Sequence, residues 1–386
     1  MKKRIAILGS TGSIGKTLLK IIKKDKSDFI IQLLSAHKDF KTVLKQAEEF
    51  KVKNIIITDK KIFKLAKKIT KNKKLNIYNS FDCFEQIFKN KNDYVMSSIV
   101  GLNGLKPTLQ IIKYTKKIAI ANKESIICGW NLLKREITKH KTEFVPVDSE
   151  HFSIWYGLKN NTDIISKIYL TASGGPFINY PSFKFRSIKV SQAIKHPNWK
   201  MGKKISIDSA TMMNKVFEVI EAKKIFDITY NKLSILTHPT SYIHSLIIFS
   251  NGLIKIIAHN TDMIIPISNS LYKNFMQNEN YLNIDLNKLN KLELKKVDKK
   301  KFKSIKILDL IPDDDSLFET VIVAANDELV NLFLNNKIKF DDIYKILLQI
   351  AHHPSFQKYK KIKPKNIDEI IKLNNYVRLK INSKRI

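Results

Sequence analysis

The chain has 386 residues and a formal net charge of +34, from 69 Lys and Arg against 35 Asp and Glu. So basic a chain would suggest nucleic acid, yet only five of the basic residues are Arg and the Lys residues are spread without a tail or aromatic stripe, so no nucleic-acid partner is expected. The length supports two or three domains. Two cysteines in no metal-like spacing argue against a disulfide framework and for a reducing compartment, and no apolar run reaches the ~18 residues of a membrane span.

In chain order, Lys3 to Leu8 reads as a short apolar strand that enters Gly9-Ser10-Thr11-Gly12-Ser13-Ile14-Gly15, and Lys16 to Lys24 reads as a helix. This is the strand, glycine turn and helix of a dinucleotide-binding unit, where bare backbone and a helix N-terminus receive pyrophosphate. The spacing is GxxGxxG and not GxGxxG, which makes the motif moderately specific. A second strand, Phe29 to Leu34, leads to His37, Lys38 and Asp39, about 20 residues past the glycines, where such enzymes hold the ribose. His37 and Lys38 favour a 2′-phosphate and hence NADPH; Asp39 argues the other way. The strand expected from Val95 opens on Gly101-Leu102-Asn103-Gly104. The strand at Ile118 to Ala121 opens on Asn122-Lys123-Glu124-Ser125, which puts polar groups at the carboxyl edge of a parallel sheet.

Two polar segments follow. If Val145 to Val147 ends a strand, Asp148 and Glu150 stand at i and i+2 and point to one side, with Ser149 and His151 beside them. Two adjacent carboxylates repel unless a proton or cation lies between them. Ile168 to Thr171 then runs into Ala172-Ser173-Gly174-Gly175-Pro176, whose glycines let backbone and a hydroxyl approach a phosphate.

The densest segment runs from His196 to Glu218. Pro197 to Lys204, with Trp199 and Gly202, has the make-up of a mobile cover. Ile205 to Ile207 reads as a short apolar alternation. Ser209, Thr211, Asn214, Lys215, Glu218 and Glu221 then follow, the last four at helical spacing. With Glu218 added to Asp148 and Glu150, the donor set is all oxygen, which suits Mg²⁺ or Mn²⁺ and not zinc. The alternatives are a solvated helix face for Asn214 to Glu221, a solvated strand end for Asp148 and Glu150, and a core role for Trp199.

These residues in this order resemble 1-deoxy-D-xylulose 5-phosphate reductoisomerases. The likeness covers nearly the whole chain and also takes in His238-Pro239, Ile243-His244-Ser245 and Ala324-Ala325-Asn326. It implies an α/β protein with an N-terminal Rossmann-like doubly wound NADPH domain (1–146), a central α/β catalytic and dimerisation domain (147–272), a linker (273–300) and a C-terminal helical domain (301–386). It implies NADPH over Thr11, Gly12, Ser13 and Ile14, near His37, Lys38 and Asp39, with contacts to Asn122, Glu124 and Gly202. It implies Mg²⁺ or Mn²⁺, with Co²⁺ a further candidate, on Asp148, Glu150 and Glu218. Lys123, Ser149, Glu150, Ser173, His196, Trp199, Ser209, Asn214, Lys215 and Glu218 would meet a small phosphorylated sugar, with Lys123, Asp148, Glu150, His196 and Glu218 as catalytic residues.

The reaction so implied isomerises 1-deoxy-D-xylulose 5-phosphate and reduces the product to 2-C-methyl-D-erythritol 4-phosphate, a step toward isoprenoid precursors, in a homodimer. The first strand begins within a few residues of Met1, which leads us to expect no targeting peptide and a bacterial cytoplasmic location. The sequence departs from the family pattern at Asp39, usually Asn; at Val216-Phe217, commonly Gly-Leu; and at Thr240, frequently Gln. The competing enzyme reading is an NADP-dependent aldehyde or semialdehyde reductase that keeps the scaffold but has lost the isomerase step.

Overall fold

A computed structural model of the chain describes residues 2–70, 74–199, 201–272 and 285–383. The apolar run at the start forms β1 (Lys3–Leu8), whose Ile5 to Leu8 are fully buried, and the glycine turn passes it into a helix at Ser13–Lys24. That helix begins three residues earlier than the lysine pattern suggests, because Gly12 already serves as its N-cap. Five further repeats of strand then helical turn give β2 (Phe29–Ala36), β3 (Asn54–Ile57), β4 (Asn76–Tyr78), β5 (Tyr94–Ser97) and β6 (Lys117–Ile120), and β7 (Glu143–Pro146) closes the series.

The seven strands lie in the order β4-β3-β2-β1-β5-β6-β7, all parallel. Strand order therefore reverses between β1 and β5. In an open parallel sheet that reversal leaves a crevice at the strands' carboxyl ends, and the turns after β1 and β5 both fall there. Ile5, Ile7, Leu34, Ile55 and Met96 pack in one core with Leu18 and Ile22 of the first helix, which is why these strands read as apolar runs without alternation. The helix Ile264–Leu271 packs into this same core, and Tyr94 Oη lies 2.7 Å from Ser270 Oγ.

The chain divides into two compact units: Met1–Ser125, Leu132–Asp148 and Met263–Phe275 form the first, and Ile126–Asn131, Ser149–Asp262 and Met276–Ile386 the second. The second has a mixed sheet of β8 (Ile165–Ala172), β9 (Leu233–Thr237), β10 (Ile243–Phe249), β11 (Ile254–Ala258) and β12 (Lys295–Lys296) in the order β11-β10-β8-β9-β12. Ile154, Ile168, Leu170, Val219, Ile247 and Phe249 form its core. Helices at Phe318–Leu334, Phe340–His352 and Ile367–Asn382 supply the carboxyl-terminal part. Of the expected linker, residues 273–284 lie outside the described residues, while Leu286–Leu289 forms a helical turn and Lys295–Lys296 pairs with β9.

Two local expectations are corrected. Asp148 and Glu150 do not share one side of a strand, because β7 ends at Pro146 and a helix starts at Ser149, placing Glu150 in its first turn. Asp and Ser are residues that begin helices, and an acid near a helix N-terminus is favoured by its dipole. Likewise Ile205 to Ile207 lies inside a helix, Lys203–Thr211, which Lys204 and Asp208 brace one turn apart (2.8 Å).

Candidate active site

In the first unit the glycine turn is shaped by close approach. Gly9 has φ +84°, and a Cβ there would stand 2.7 Å from Ser98 O; a Cβ on Gly15 would stand 2.5 Å from Ser10 Cα. Only glycine lets the turn lie this close to the segment after β5 and the helix this close to the turn. Gln46 locks the arrangement from the next helix: its Nε2 donates to Ser10 O (3.0 Å), and its Oε1 accepts from Ser10 Oγ (2.8 Å). Gly9 N donates to Ser35 Oγ (2.9 Å). Thr11, Gly12, Ser13 and Ile14 stay at least partly exposed at a helix N-terminus that has no acid in its first turn, an arrangement suited to pyrophosphate.

His37, Lys38 and Asp39 are exposed at the end of β2. His37 Nδ1 lies 2.8 Å from Thr58 Oγ1, and Asp39 Oδ1 accepts from Thr42 N (3.2 Å) as the N-cap of the helix Phe40–Glu49. Asp39 is thus tied to its own helix as well as placed beside Lys38. After β6, Asn122 caps the helix Lys123–Lys139 by accepting from Ser125 N (2.6 Å), and its amide donates to Gly101 O (2.7 Å) and to Ile99 O. This single side chain joins the turns after β5 and β6. Lys123 and Glu124 are buried, with Lys123 Nζ 3.4 Å from Asp148 Oδ2.

In the second unit, the helix Met213–Phe226 is not a solvated face. Lys215, Glu218 and Glu221 are 4%, 1% and 1% exposed. Glu218 takes a charge-assisted contact from Lys215 and a hydrogen bond from Asn214 Nδ2, while Lys215 Nζ also lies 3.2 Å from Glu150 Oε1. Ser149 Oγ donates to Glu150 Oε2 (2.7 Å), and His151 Nε2 reaches Glu218 O (2.8 Å). Burial works to raise the Glu150 carboxyl, but the Lys215 ammonium, His244 and the Ser149 hydroxyl outweigh it and hold Glu150 well below the usual carboxylate range. Asp148 is joined to Glu150 through Ser149. One carboxylate oxygen from each of Asp148, Glu150 and Glu218 lies within 4.8 Å of the others. Three carboxylate oxygens this close, with no sulfur or imidazole among them, fit a hard divalent cation.

Around this group stand the other polar residues. His196 Nδ1 accepts from Asn198 N (3.1 Å) and Trp199 N (3.0 Å), so its hydrogen is assigned to Nε2, 3.0 Å from Ser173 Oγ. Burial first, and then the charge of Lys215, lower His196 from 6.5 to about 4. Ser173 Oγ in turn accepts from Gly175 N (3.0 Å). A Cβ on Gly175, whose φ is +64°, would stand 2.9 Å from Ser209 O, so this glycine brings the Ser173 turn against the helix that carries Ser209. Met212, at φ +65°, breaks that helix from the next, which carries Asn214, Lys215 and Glu218. Trp199 is partly buried, its ring edge-on to His244 at 6.2 Å. Gly202 is exposed and caps the helix Lys203–Thr211.

Two residues gain roles that sequence reasoning did not assign. Gln46 carries no motif signal. His244 stood in a recognised motif without a role, and its Nδ1 lies 3.6 Å from Glu150 Oε1. Of the departures, Val216 and Phe217 are fully buried, with Lys204 Nζ 5.2 Å from the Phe217 ring centroid, and Thr240 Oγ1 lies 3.0 Å from His238 Nε2.

A glycine turn at a sheet reversal together with an all-oxygen carboxylate group defines a metal-dependent dinucleotide oxidoreductase. Family models described as 1-deoxy-D-xylulose 5-phosphate reductoisomerase, its C-terminal domain, and DXP reductoisomerase C-terminal domain match residues 5–129, 144–226 and 259–380 respectively. The chain belongs to the 1-deoxy-D-xylulose 5-phosphate reductoisomerase family. It is 59% identical over 384 residues to the Pelagibacter ubique (strain HTCC1062) reductoisomerase, covering 99% of each chain. It is 36% identical to that of Wolbachia pipientis subsp. Culex pipiens (strain wPip), covering 98% of this chain and 97% of the relative. Among solved structures it resembles the Zymomonas mobilis enzyme in complex with NADPH (TM-score 0.85, 30% identity, 98% of each chain). It also resembles a DOX-P reductoisomerase in complex with NADPH, fosmidomycin and magnesium (TM-score 0.91, 30% identity, 99% of this chain and 98% of that one).

Proposed function

We propose that this chain performs its family's reaction, the NADPH-dependent conversion of 1-deoxy-D-xylulose 5-phosphate to 2-C-methyl-D-erythritol 4-phosphate, with a divalent cation held by Asp148, Glu150 and Glu218. The observation that carries this reading is the convergence of those three carboxylates in a chain that also holds the glycine turn. When bound, the cation polarises the substrate's ketone and hydroxyl oxygens and NADPH supplies the hydride. Thr11 to Ile14 receive the cofactor's pyrophosphate. His37 and Lys38 favour its 2′-phosphate, and Asn122, Glu124 and Gly202 complete its contacts.

Ser173, Ser209, Asn214 and Lys215 offer hydroxyl, amide and ammonium donors to the substrate phosphate. His196, neutral near pH 7, orients Ser173 and so keeps one donor aimed without adding a charge. Lys123 and Ser149 stand beside Asp148 and Glu150 and orient the substrate's oxygens. Trp199 covers the substrate and excludes water. In this reading residues 1–146 serve the dinucleotide, 147–272 the metal and substrate, 273–300 the connection, and 301–386 form the helical part.

Mg²⁺ is the working cation by likeness to the magnesium-bound relatives, and Mn²⁺ fits the same donor set. A homodimer and a bacterial cytoplasmic location complete the reading. The dimer is supported by apolar exposure along the edge strand β11, where Ile254 and Ile256 face solvent, beside Leu253. The location is supported by the bacterial relatives and two buried free cysteines, and among the described residues no helix is long and apolar enough to cross a membrane.

The deciding experiment incubates the purified chain with 1-deoxy-D-xylulose 5-phosphate, NADPH and Mg²⁺ or Mn²⁺, and follows NADPH absorbance together with product identity. One NADPH consumed per 2-C-methyl-D-erythritol 4-phosphate formed is the expected result. NADPH oxidation with simple aldehydes alone would move the chain to the aldehyde or semialdehyde reductase reading.

A further inference from the structure

The second unit places a pair of histidines behind Glu150. Between β10 and β11, Ile243 pairs with Ala258 and Ser245 with Ile257, so His244 is an extra residue inserted into β10. Such a bulge re-aims a side chain. Here it leaves His244 Nδ1 3.6 Å from Glu150 Oε1 and Nε2 3.2 Å from His259 O. A carbonyl only accepts, so Nε2 donates there, whereas Nδ1 at 3.6 Å is beyond hydrogen-bond reach and meets the Glu150 carboxylate by packing.

The His259 ring then lies flat on the His244 ring, with centroids 3.7 Å apart and planes 15° from parallel. Its own orientation is fixed on two sides. His259 Nδ1 lies 2.8 Å from Asn260 O, and Phe152 meets the ring edge-on at 6.3 Å. Both rings are buried, His244 at 1% exposed and His259 at 9%. The second torsion of a histidine is broad, and His244 has one hydrogen bond at Nε2, a packing contact with Glu150 and Trp199 edge-on at 6.2 Å, so the flat contact of His259 is what holds its plane.

We propose that His259 is a positioning residue: its ring and its carbonyl hold His244 against Glu150 and so fix the carboxylate that receives the cation. Residues that orient a ligand from behind commonly change metal affinity 10–100-fold when altered. The inference rests on Glu150 being a ligand.

The test compares His259→Leu with His259→Phe in the full chain. Both are apolar and fill the space, but only Phe can stack. Titration calorimetry with Mn²⁺ alone should show affinity falling roughly 10-fold in the Leu variant and staying near wild type in the Phe variant. The kcat should follow the same order while the KM for NADPH does not move. His259→Gln, which also lacks the ring, takes the place of Leu if that variant does not fold. Equal Mn²⁺ affinity in the ringless and Phe variants would overturn the inference. Glu150→Gln is the control: Mn²⁺ binding that persists there removes Glu150 as a ligand, whereas loss there with no effect at His259 sinks the His259 inference alone.

Discussion

Lys215 Nζ lies 3.2 Å from Glu150 Oε1 and also contacts Glu218, so one buried ammonium is shared by two carboxylates from different helices. Leaving a buried charge without its partner costs about 3–5 kcal/mol, so the three side chains depend on one another. Glu218→Gln keeps the size and one oxygen but removes a charge. Mn²⁺ affinity and turnover should both fall by orders of magnitude in this variant, while NADPH affinity, for which Glu218 is not a proposed contact, stays near wild type. Unchanged Mn²⁺ affinity by calorimetry would show that Glu218 is not a ligand.

Trp199 is only partly buried and meets His244 through its ring edge, while its backbone N–H is held by His196. A side chain so placed contributes less to the core than to what it covers. Trp199→Ala should therefore raise the KM for the sugar phosphate and lower kcat, with a melting temperature within a few degrees of wild type. A large loss of melting temperature with unchanged kinetics would assign Trp199 to the core.

Asp39 has two effects that one substitution can separate. Its carboxylate caps the helix Phe40–Glu49 and also adds negative charge beside Lys38. Asn caps about as well as Asp, whereas Ala would lose about 1 kcal/mol of capping. Asp39→Asn should lower the KM for NADPH about threefold, the scale of one exposed charge, and leave that for NADH alone. An equal change for both cofactors would mean that Asp39 does not sense the 2′-phosphate.

His196 gives a pH dependence of stability whose sign is set by its lowered pKa. Its imidazole titrates at 6.5 ordinarily and at about 4 in the folded chain, so between these values the unfolded state binds more protons. The stabilisation is present above pH 6.5 and is lost as pH falls toward 4. His196→Gln removes this dependence while His238 and His259, both also lowered, keep theirs. Denaturant unfolding at pH 7 and pH 5 should show the wild type losing about 1 kcal/mol more than the variant, after discounting for partial exposure. Parallel losses would remove His196 as the cause.

Local signals made much of this protein legible. The glycine turn could be read because close backbone approach excludes every other residue at Gly9 and Gly15, and that constraint is written into a few adjacent positions. Asp148 and Glu150 could be paired because the chain itself keeps them together. The parallel strands announced themselves as short apolar runs, since both of their faces are covered.

Tertiary structure decided the rest. No local period tells that Lys215, Glu218 and Glu221 are buried on a helix whose polar spacing also suits a solvated face; that follows from what packs around it. A β-bulge leaves no residue signature, so the aim of His244 appeared only once β10 had paired with β11. Gln46 reaches Ser10 across 36 residues of sequence, and Ser149 with Glu150 began a helix where a strand end was expected. Side-chain chemistry is carried by each residue alone, whereas burial, pairing register and the meeting of distant charges belong to the folded chain, where neighbours in space replace neighbours in sequence.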